Sequence, residues 1–414
     1  MNTLQQIQQL QFSDKSAAEA LLLRFMRESL GLEAASVELR PLAVSLNSFN
    51  GFITLQGNRR LFFKTHTEAD GIIGEYYNAA QLAAAGYPIL QPVYTSTEAG
   101  KQLLIYDVIA DPSVFDLAWQ IECGDNVQLG ALTQAQQQAD DQLFTIYQHT
   151  LEWMGEAQNA SAPVHQLFHH RLTQGRLTRF YGSFTEDMTI LLPNRESPFK
   201  MRDVQQVRWE INGQYYAETL DQIIHKAIHL LDPAQNVPSV IGHGDAHNGN
   251  VFYRQETQSL LYFDPAFAGR HDPLLDVVKP LFHNVFAMWM YFPKEKAKTL
   301  AIRLEQKGDS WVIGHNYQLH RIREMFLESK VQRVLIPSLL ELKRRNWLRE
   351  DWRDYLKCAL FCCPFLTMNL ADSAKFLPEI SLLGLCMAVE MGADSAGQRS
   401  LIDQVLDVAA EQLA

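Results

Sequence analysis

Cysteine is scarce in this chain. Five occur in 414 residues: Cys123, Cys358, Cys362, Cys363 and Cys386. Three fall inside one apolar stretch, LKCALFCCPFL. An odd, clustered set suits neither a disulfide framework nor a thiolate metal site; it reads as buried core thiols in a reducing compartment. Basic residues are also short. Lys and Arg number 36 against 47 Asp and Glu, a net charge of -11. That balance excludes a general nucleic-acid binder, which needs a basic surface. The opening residues, MNTLQQIQQLQFSDKS, lack the basic-then-apolar form of a secretory leader. Apolar runs such as 281–292 are broken by His and Asn and are too short to span a bilayer. Cytoplasmic residence without a membrane is therefore expected. No repeat of fixed period is present. No Gly-x-Ser-x-Gly occurs either, so the nucleophile elbow of many serine hydrolases is missing. What remains is an ordinary globular composition, 47% hydrophobic and 20% charged, long enough for two or three packed units.

The chemistry concentrates in residues 241–276. Apolar residues lead into a polar, Gly-rich loop, His243-Gly244-Asp245-Ala246-His247-Asn248-Gly249-Asn250. Val251-Phe252-Tyr253 leaves it, a polar turn follows, and Leu260-Leu261-Tyr262-Phe263 runs into Asp264. Two short apolar segments around a turn predict a hairpin. It carries Asp245 and Asn250 before the first strand and Asp264 after the second. Phosphoryl transfer needs such a set: a carboxylate to orient a nucleophilic hydroxyl, and an amide plus a second carboxylate to hold magnesium on a nucleotide's phosphates. Protein kinases also place four residues between the catalytic Asp and the Asn. Here the lead-in is His-Gly instead of His-Arg, and Asp264 is followed by Pro265-Ala266 instead of Phe-Gly.

This pattern resembles the aminoglycoside phosphotransferase and choline kinase superfamily of small-molecule kinases. The resemblance is closest to the aminoglycoside phosphotransferase branch, through His243-Gly244-Asp245, Asn250, Asp264 and Ala268-Gly269-Arg270-His271-Asp272-Pro273. It implies that Asp245 is the catalytic base and that Asn250 and Asp264 are magnesium ligands. Asp276 would buttress the catalytic loop from a following helix. His247 would orient Asp245 or touch substrate, and His243 would fix the loop by packing. The implied fold is α+β and bilobal, protein-kinase-like. ATP·Mg²⁺ would lie between a small antiparallel β-lobe with one main helix and a large, mainly helical lobe.

The rest of the chain is read around that expectation. Residues 1–36 are expected to be a helical segment, with Asp14 as a cap. Residues 37–109 form the expected nucleotide-binding lobe. Strands are predicted at 37–45, 52–56 and 60–66, with a polar turn at 47–51 where a phosphate loop would fall. That turn has only Gly51 and no Gly-x-Gly-x-x-Gly. Lys64 closes the third strand, where the family's phosphate-pairing lysine would sit. Glu75, on a helix predicted over 71–85, is its expected partner. A second hairpin, 90–95 with 102–109, completes five strands. Val108 and Ile109 fall at the expected hinge, where backbone groups would read a purine; ATP is expected, and GTP is compatible with the same contacts.

Residues 110–414 make up the expected second lobe, carrying the catalytic loop at 241–276 and a helical substrate-binding subdomain. Within it, 141–154 reads as a helix. The segment 164–181, with His165, His169, His170, Arg171, Arg176 and Arg179, reads as a solvated helix face or an anion-binding one. Asn212-Gly213 marks a hairpin. After Asp276 the sequence reads as helix throughout, at 294–306, 315–328, 331–343, 351–370, 381–390 and 400–413. Trp289, Tyr291, Trp311, Trp347 and Trp352 are candidates for a cleft wall or for packing. Between Asp264 and Asp272-Pro273 there is no room for a phosphorylatable activation segment. The expected acceptor is thus a small-molecule hydroxyl, with no nucleic acid, membrane or obligate protein partner. A protein kinase and a catalytically weak nucleotide-binding module are the alternatives.

Overall fold

The computed structural model describes residues 3–40, 48–66, 71–98, 100–183, 186–193 and 197–414, with backbone alone at 48, 66, 71–77 and 186–187. The chain divides into two compact units. The first comprises Met1–Pro112 and Leu261–Ala268; the second comprises Ser113–Leu260 and Gly269–Ala414.

The first unit is built on a five-stranded antiparallel sheet. Its strands are β1 (Ala34–Leu39), β2 (Ser48–Leu55), β3 (Arg60–His66), β4 (Tyr94–Ser96) and β5 (Leu103–Asp107), in the order β1-β2-β3-β5-β4. Helices α1 (Thr3–Ser13) and α2 (Lys15–Glu28) precede it. Asp14 caps α2, accepting the Ala17 amide at 2.9 Å. Both helices lay apolar residues, Leu4, Ile7, Leu22, Phe25 and Met26 among them, against Ile53, Leu61, Phe63 and Ile105 of the sheet. Side chains alternate along a strand, so Phe62 and Lys64 turn to the other face, as do Leu104 and Tyr106 of β5. Helix α3 (Gly71–Ala85) follows β3 and ends at Gly86, where φ is +101° and the Tyr87 amide returns to the Leu82 carbonyl.

One element differs from expectation. The predicted turn at 47–51 is strand from Ser48 onward, with Gly51 paired to Phe63 of β3 and to Leu39 of β1. A side chain at Gly51 would collide with the Glu38 carbonyl. Glycine is there for strand approach. The tip that joins β1 to β2 lies outside the described residues.

The second unit is mainly helical. Helix Leu129–Thr150 packs on strand Val237–Gly242 and on the helical run Arg321–Arg344, which passes through a π-turn at Val331–Leu335. Helix Trp352–Leu366 pairs with Pro378–Gly392, and both are buried along nearly their whole lengths. Cys358, Cys362, Cys363 and Cys386 are buried free thiols in this pair; Cys123 is exposed. The α+β class is as expected.

The all-helical reading beyond Asp276 is not borne out. Ile302–Lys307 and Ser310–His315 form a hairpin in a five-stranded sheet with Arg208–Ile211, Gln214–Tyr216 and Ser395–Gly397. The physical signal is period 2 around a Gly-Asp turn: Ile302, Trp311 and Ile313 are buried, and Gly308 has φ +64°. Trp311 packs on Trp209 in this sheet, and Trp289 is fully buried, so both serve as core. Likewise Glu152–Met154 is a strand beside Val237–Gly242, not the end of a helix. The Asn212-Gly213 turn is as expected, with φ of +51° and +80°.

Candidate active site

In the second unit, loop 243–250 joins strand Val237–Gly242 to a single 3-10 turn, Asn248–Asn250, and strand Val251–Arg254. His243 is fully buried. Gly244 has φ +77°, and its amide donates to Asp276 Oδ1 at 2.6 Å. Asp276 ends the short helix Pro273–Asp276, whose Asp272 cap accepts the Leu274 amide at 2.8 Å. His271 Nε2 lies 3.0 Å from the same Oδ1, and the Tyr147 hydroxyl donates to Oδ2. Burial pushes the Asp276 carboxyl upward. The His271, Tyr147 and Gly244 contacts more than offset it and hold it down at about 2. An ionised carboxylate only accepts, so Nε2 of His271 carries the proton.

Strand Val237–Gly242 comes close to this carboxylate. A Cβ on Gly242 would stand 2.5 Å from His271 Nε2 and 2.6 Å from Asp276 Cγ. Gly242→Ala is therefore expected to cost about 1–3 kcal/mol by overpacking. Urea unfolding checks this; an unchanged midpoint would show that the carboxylate tolerates displacement.

Asp245 lies at the loop's centre with 15% of its side chain exposed. Lys279 Nζ is 3.4 Å from Oδ1, and His247 Nε2 is 3.8 Å from Oδ2. Oδ1 has no hydrogen-bond partner among the described residues. Burial raises the Asp245 pKa, but the Lys279, His247, His243 and Arg171 charges outweigh it and the net direction is down. The carboxylate is thus held in its ionised form, with Oδ1 enclosed beside Lys279.

The neighbours of Asp245 are set by their own bonds. The Gly249 amide donates to His247 Nδ1 at 3.0 Å, so the His247 proton is on Nε2, the nitrogen nearer Asp245. Lys279 is buried and donates to His283 Nε2 at 2.9 Å. His283 Nδ1 then bears that ring's proton and donates to the Tyr291 oxygen at 2.8 Å. Burial, with Lys279, His247 and Arg171 nearby, keeps His283 neutral, well below its ordinary pKa. Asn250 Nδ2 donates to the Asp245 carbonyl at 2.9 Å, which leaves Oδ1 as the acceptor atom of that amide. The Asn248 amide is held by Asn284 Oδ1 at 2.7 Å. Lys279, His283, Asn284 and Tyr147 did not stand out in the sequence as site residues. The available signal was charge and amide groups at helical spacing inside an apolar run.

In the first unit, Lys64 Nζ meets Asp264 Oδ1 at 2.9 Å. Segment 261–268 joins this unit through Pro88 and Leu90, whose backbones bond Tyr262 at 2.8 Å each. Asn78 of α3 donates to the Pro265 carbonyl at 3.1 Å. Asp264 itself has φ +57°, a left-handed conformation that costs a non-glycine residue free energy and that concentrates at functional sites. With 21% and 42% of the two side chains exposed, the pair adds little stability, on the order of 0–1 kcal/mol. The side chain of Glu75, the expected partner of Lys64, lies outside the described residues. Val108 and Ile109 directly follow β5, and Val108 is exposed.

Among the described residues no three His, Cys, Asp or Glu side chains cluster to hold a metal. Asp264 and the Asn250 carbonyl are hard oxygen donors. Each is a donor of the kind magnesium takes, with phosphate and water completing its shell.

No helix among the described residues is long and apolar enough to cross a membrane. No curated protein sequence matches the chain significantly. Similar solved structures include an amicoumacin kinase, hAmiN, in complex with AMP-PNP, Ca²⁺ and Ami, at 13% identity over 89% of this chain and 92% of that one, TM-score 0.46. Others are a putative fructosamine-3-kinase of Thermobifida fusca (13%, 90% and 98%, TM-score 0.41) and an ethanolamine kinase of Plasmodium vivax (9%, 100% and 95%, TM-score 0.41). Likeness at that level does not bear on what this chain acts on. The model of the phosphotransferase enzyme family matches residues 38–311, more than half of the chain and the whole of both polar groups described above. The chain belongs to that family of phosphotransferase enzymes.

Proposed function

We propose that this phosphotransferase moves the γ-phosphate of ATP to a hydroxyl of a small molecule. The observation that carries the reading is Asp245, a buried, ionised carboxylate with one oxygen lacking a hydrogen-bond partner. In this role the carboxylate accepts the hydrogen bond of the acceptor hydroxyl and takes its proton as the oxygen attacks the γ-phosphorus. The new O–P bond forms as the bond to the β-bridging oxygen breaks, and ADP leaves with that electron pair. Lys279 holds Asp245 in place and lowers its pKa. His247 presents an N–H toward Oδ2. Lys64 is assigned to the nucleotide phosphates, and the backbone at Val108 and Ile109 to the purine. Asn250 Oδ1 and the Asp264 carboxylate would hold magnesium, which when bound neutralises phosphate charge.

The test is ADP release by the purified chain with a panel of hydroxylated metabolites, with and without Mg²⁺. Release should need both the metal and an acceptor. Asp264→Ala should lower the affinity for Mg·ATP at least about tenfold, as expected for loss of a charged ligand. Calorimetry showing unchanged affinity would remove Asp264 from the metal site.

A further inference from the structure

Near Asp245 lies a group of positive charges that the proposed reaction does not use. It sits on two short helices, His169–Thr173 and Arg176–Tyr181. Both pack on helix Trp352–Leu366, which also packs on Val278–His283, the helix of Lys279. Arg171 Nη1 reaches Thr367 Oγ1 at 3.3 Å, and Arg176 Nη1 reaches the Leu366 carbonyl at 3.3 Å. Cys363, one turn before Thr367, feels the charges of Lys279, Arg171 and Asp245 together. Arg171 is thus brought to the same end of this helix as the catalytic loop, and its charge acts on Asp245, His283 and Tyr291.

The charge here is only partly balanced, by Asp232 acting on His169 and Asp245 on Arg171 without direct contact. No carboxylate forms an ion pair with Arg171, Arg176 or Arg179 among the described residues, although the chain as a whole carries a net -11. Arg171 Nε is buried with no acceptor, and so is Nδ1 of His169. Burial, with Arg171 and Arg179 alongside, pushes Arg176 down to about 10. The helix C-terminus that two of these guanidinium groups touch supplies only about half a negative charge. Three half-buried or clustered cations exceed that, and donors left unpaired out of water cost free energy until an anion completes them.

We infer that Arg171, backed by Arg176, forms an anion subsite for the phosphate acceptor, and that the acceptor is a hydroxylated compound bearing a carboxylate or a phosphate. The inference rests on the assignment of Asp245 as the residue that receives the acceptor hydroxyl. Arg171 offers a planar fork whose unpaired Nε–H suits bidentate contact with either group. A purely cationic acceptor would meet repulsion there.

The experiment pairs charged and neutral compounds: gluconate, glucose 6-phosphate and glucose, with glycerate, glycerol 3-phosphate and glycerol. Each is tried as an acceptor in ADP release and as a ligand in calorimetry without nucleotide. One or more of the anions should bind and stimulate release, and the matched neutral compound should not. Whether the carboxylates or the phosphates respond identifies the source of the charge. Arg171→Met should weaken anion binding and raise acceptor KM about 10- to 100-fold, with ATP KM unmoved. Arg171→Lys, which keeps the charge and loses the fork, should fall between. Anions that bind through Arg171 without any ADP release would leave the subsite standing and overturn the phosphotransfer reading. Neutral compounds performing as well as the acids, no binding of any anion, or binding indifferent to Arg171→Met would each overturn the subsite.

Discussion

Asp245→Asn is expected to lower kcat about 10²- to 10⁴-fold, the usual contribution of a positioned base, and to leave nucleotide affinity nearly unchanged. The amide has the shape of the carboxylate and leaves an oxygen to face Lys279, which lies 3.4 Å from Oδ1 in the native chain. What it loses is the negative charge and the ability to take a proton. Asn250 Nδ2 is bound to the backbone carbonyl of residue 245, so the loop's closure does not depend on the side chain replaced. The loss should therefore appear in turnover and not in folding. Single-turnover ADP formation and calorimetry with a non-hydrolysable nucleotide separate the two. Undiminished turnover in the Asn variant would take Asp245 out of the base role.

Much of this was legible because the relevant groups are local in sequence. The interval from Asp245 to Asn250 is one loop, and the Asn side chain closes on the Asp carbonyl within it. Strand β3 was readable as a short apolar run closed by Lys64, while the face that Lys64 takes, away from the helix-covered core, came only with the structure. The contacts of Lys279, His283 and Tyr291 were less legible. Lys279 and Asp245 are 34 positions apart, and only folding brings helix Val278–His283 under the loop. In the sequence His283 served only to break an apolar run, Tyr291 was one of several aromatic candidates for a cleft wall, and Lys279 carried no signal. The hairpin at 302–315 was missed because LysGluLysAlaLys ahead of it carries strong helical propensity, and tertiary pairing with Arg208–Ile211 overrode any continuation. That parallel partner is roughly a hundred residues upstream, beyond any local pattern.

Asp276→Ala should destabilise the second unit by about 3–5 kcal/mol at neutral pH, the range for removing one partner of a buried ionic network. The carboxylate is 2% exposed, and Gly244, His271 and Tyr147 converge on it. Alanine leaves their three donors buried without an acceptor. The same network makes a pH signature. Asp276 titrates at about 2 in the folded chain against an ordinary 3.8, so the folded state binds the proton less readily than the unfolded one. Its contribution is complete above the unfolded value and is lost as pH falls from about 4 through about 2. A displacement of that size corresponds to roughly 2 kcal/mol. Urea unfolding of the parent chain should lose stability across that window. Asp276→Ala should start lower and respond less, so the gap between the two narrows as acid is added. Because the Gly244 amide is released in the variant, the loop that carries Asp245 loosens as well, and kcat should fall even under conditions where the chain remains folded. A constant gap between parent and variant from pH 7 to pH 3 would show that the charge on Asp276 is not what holds the loop.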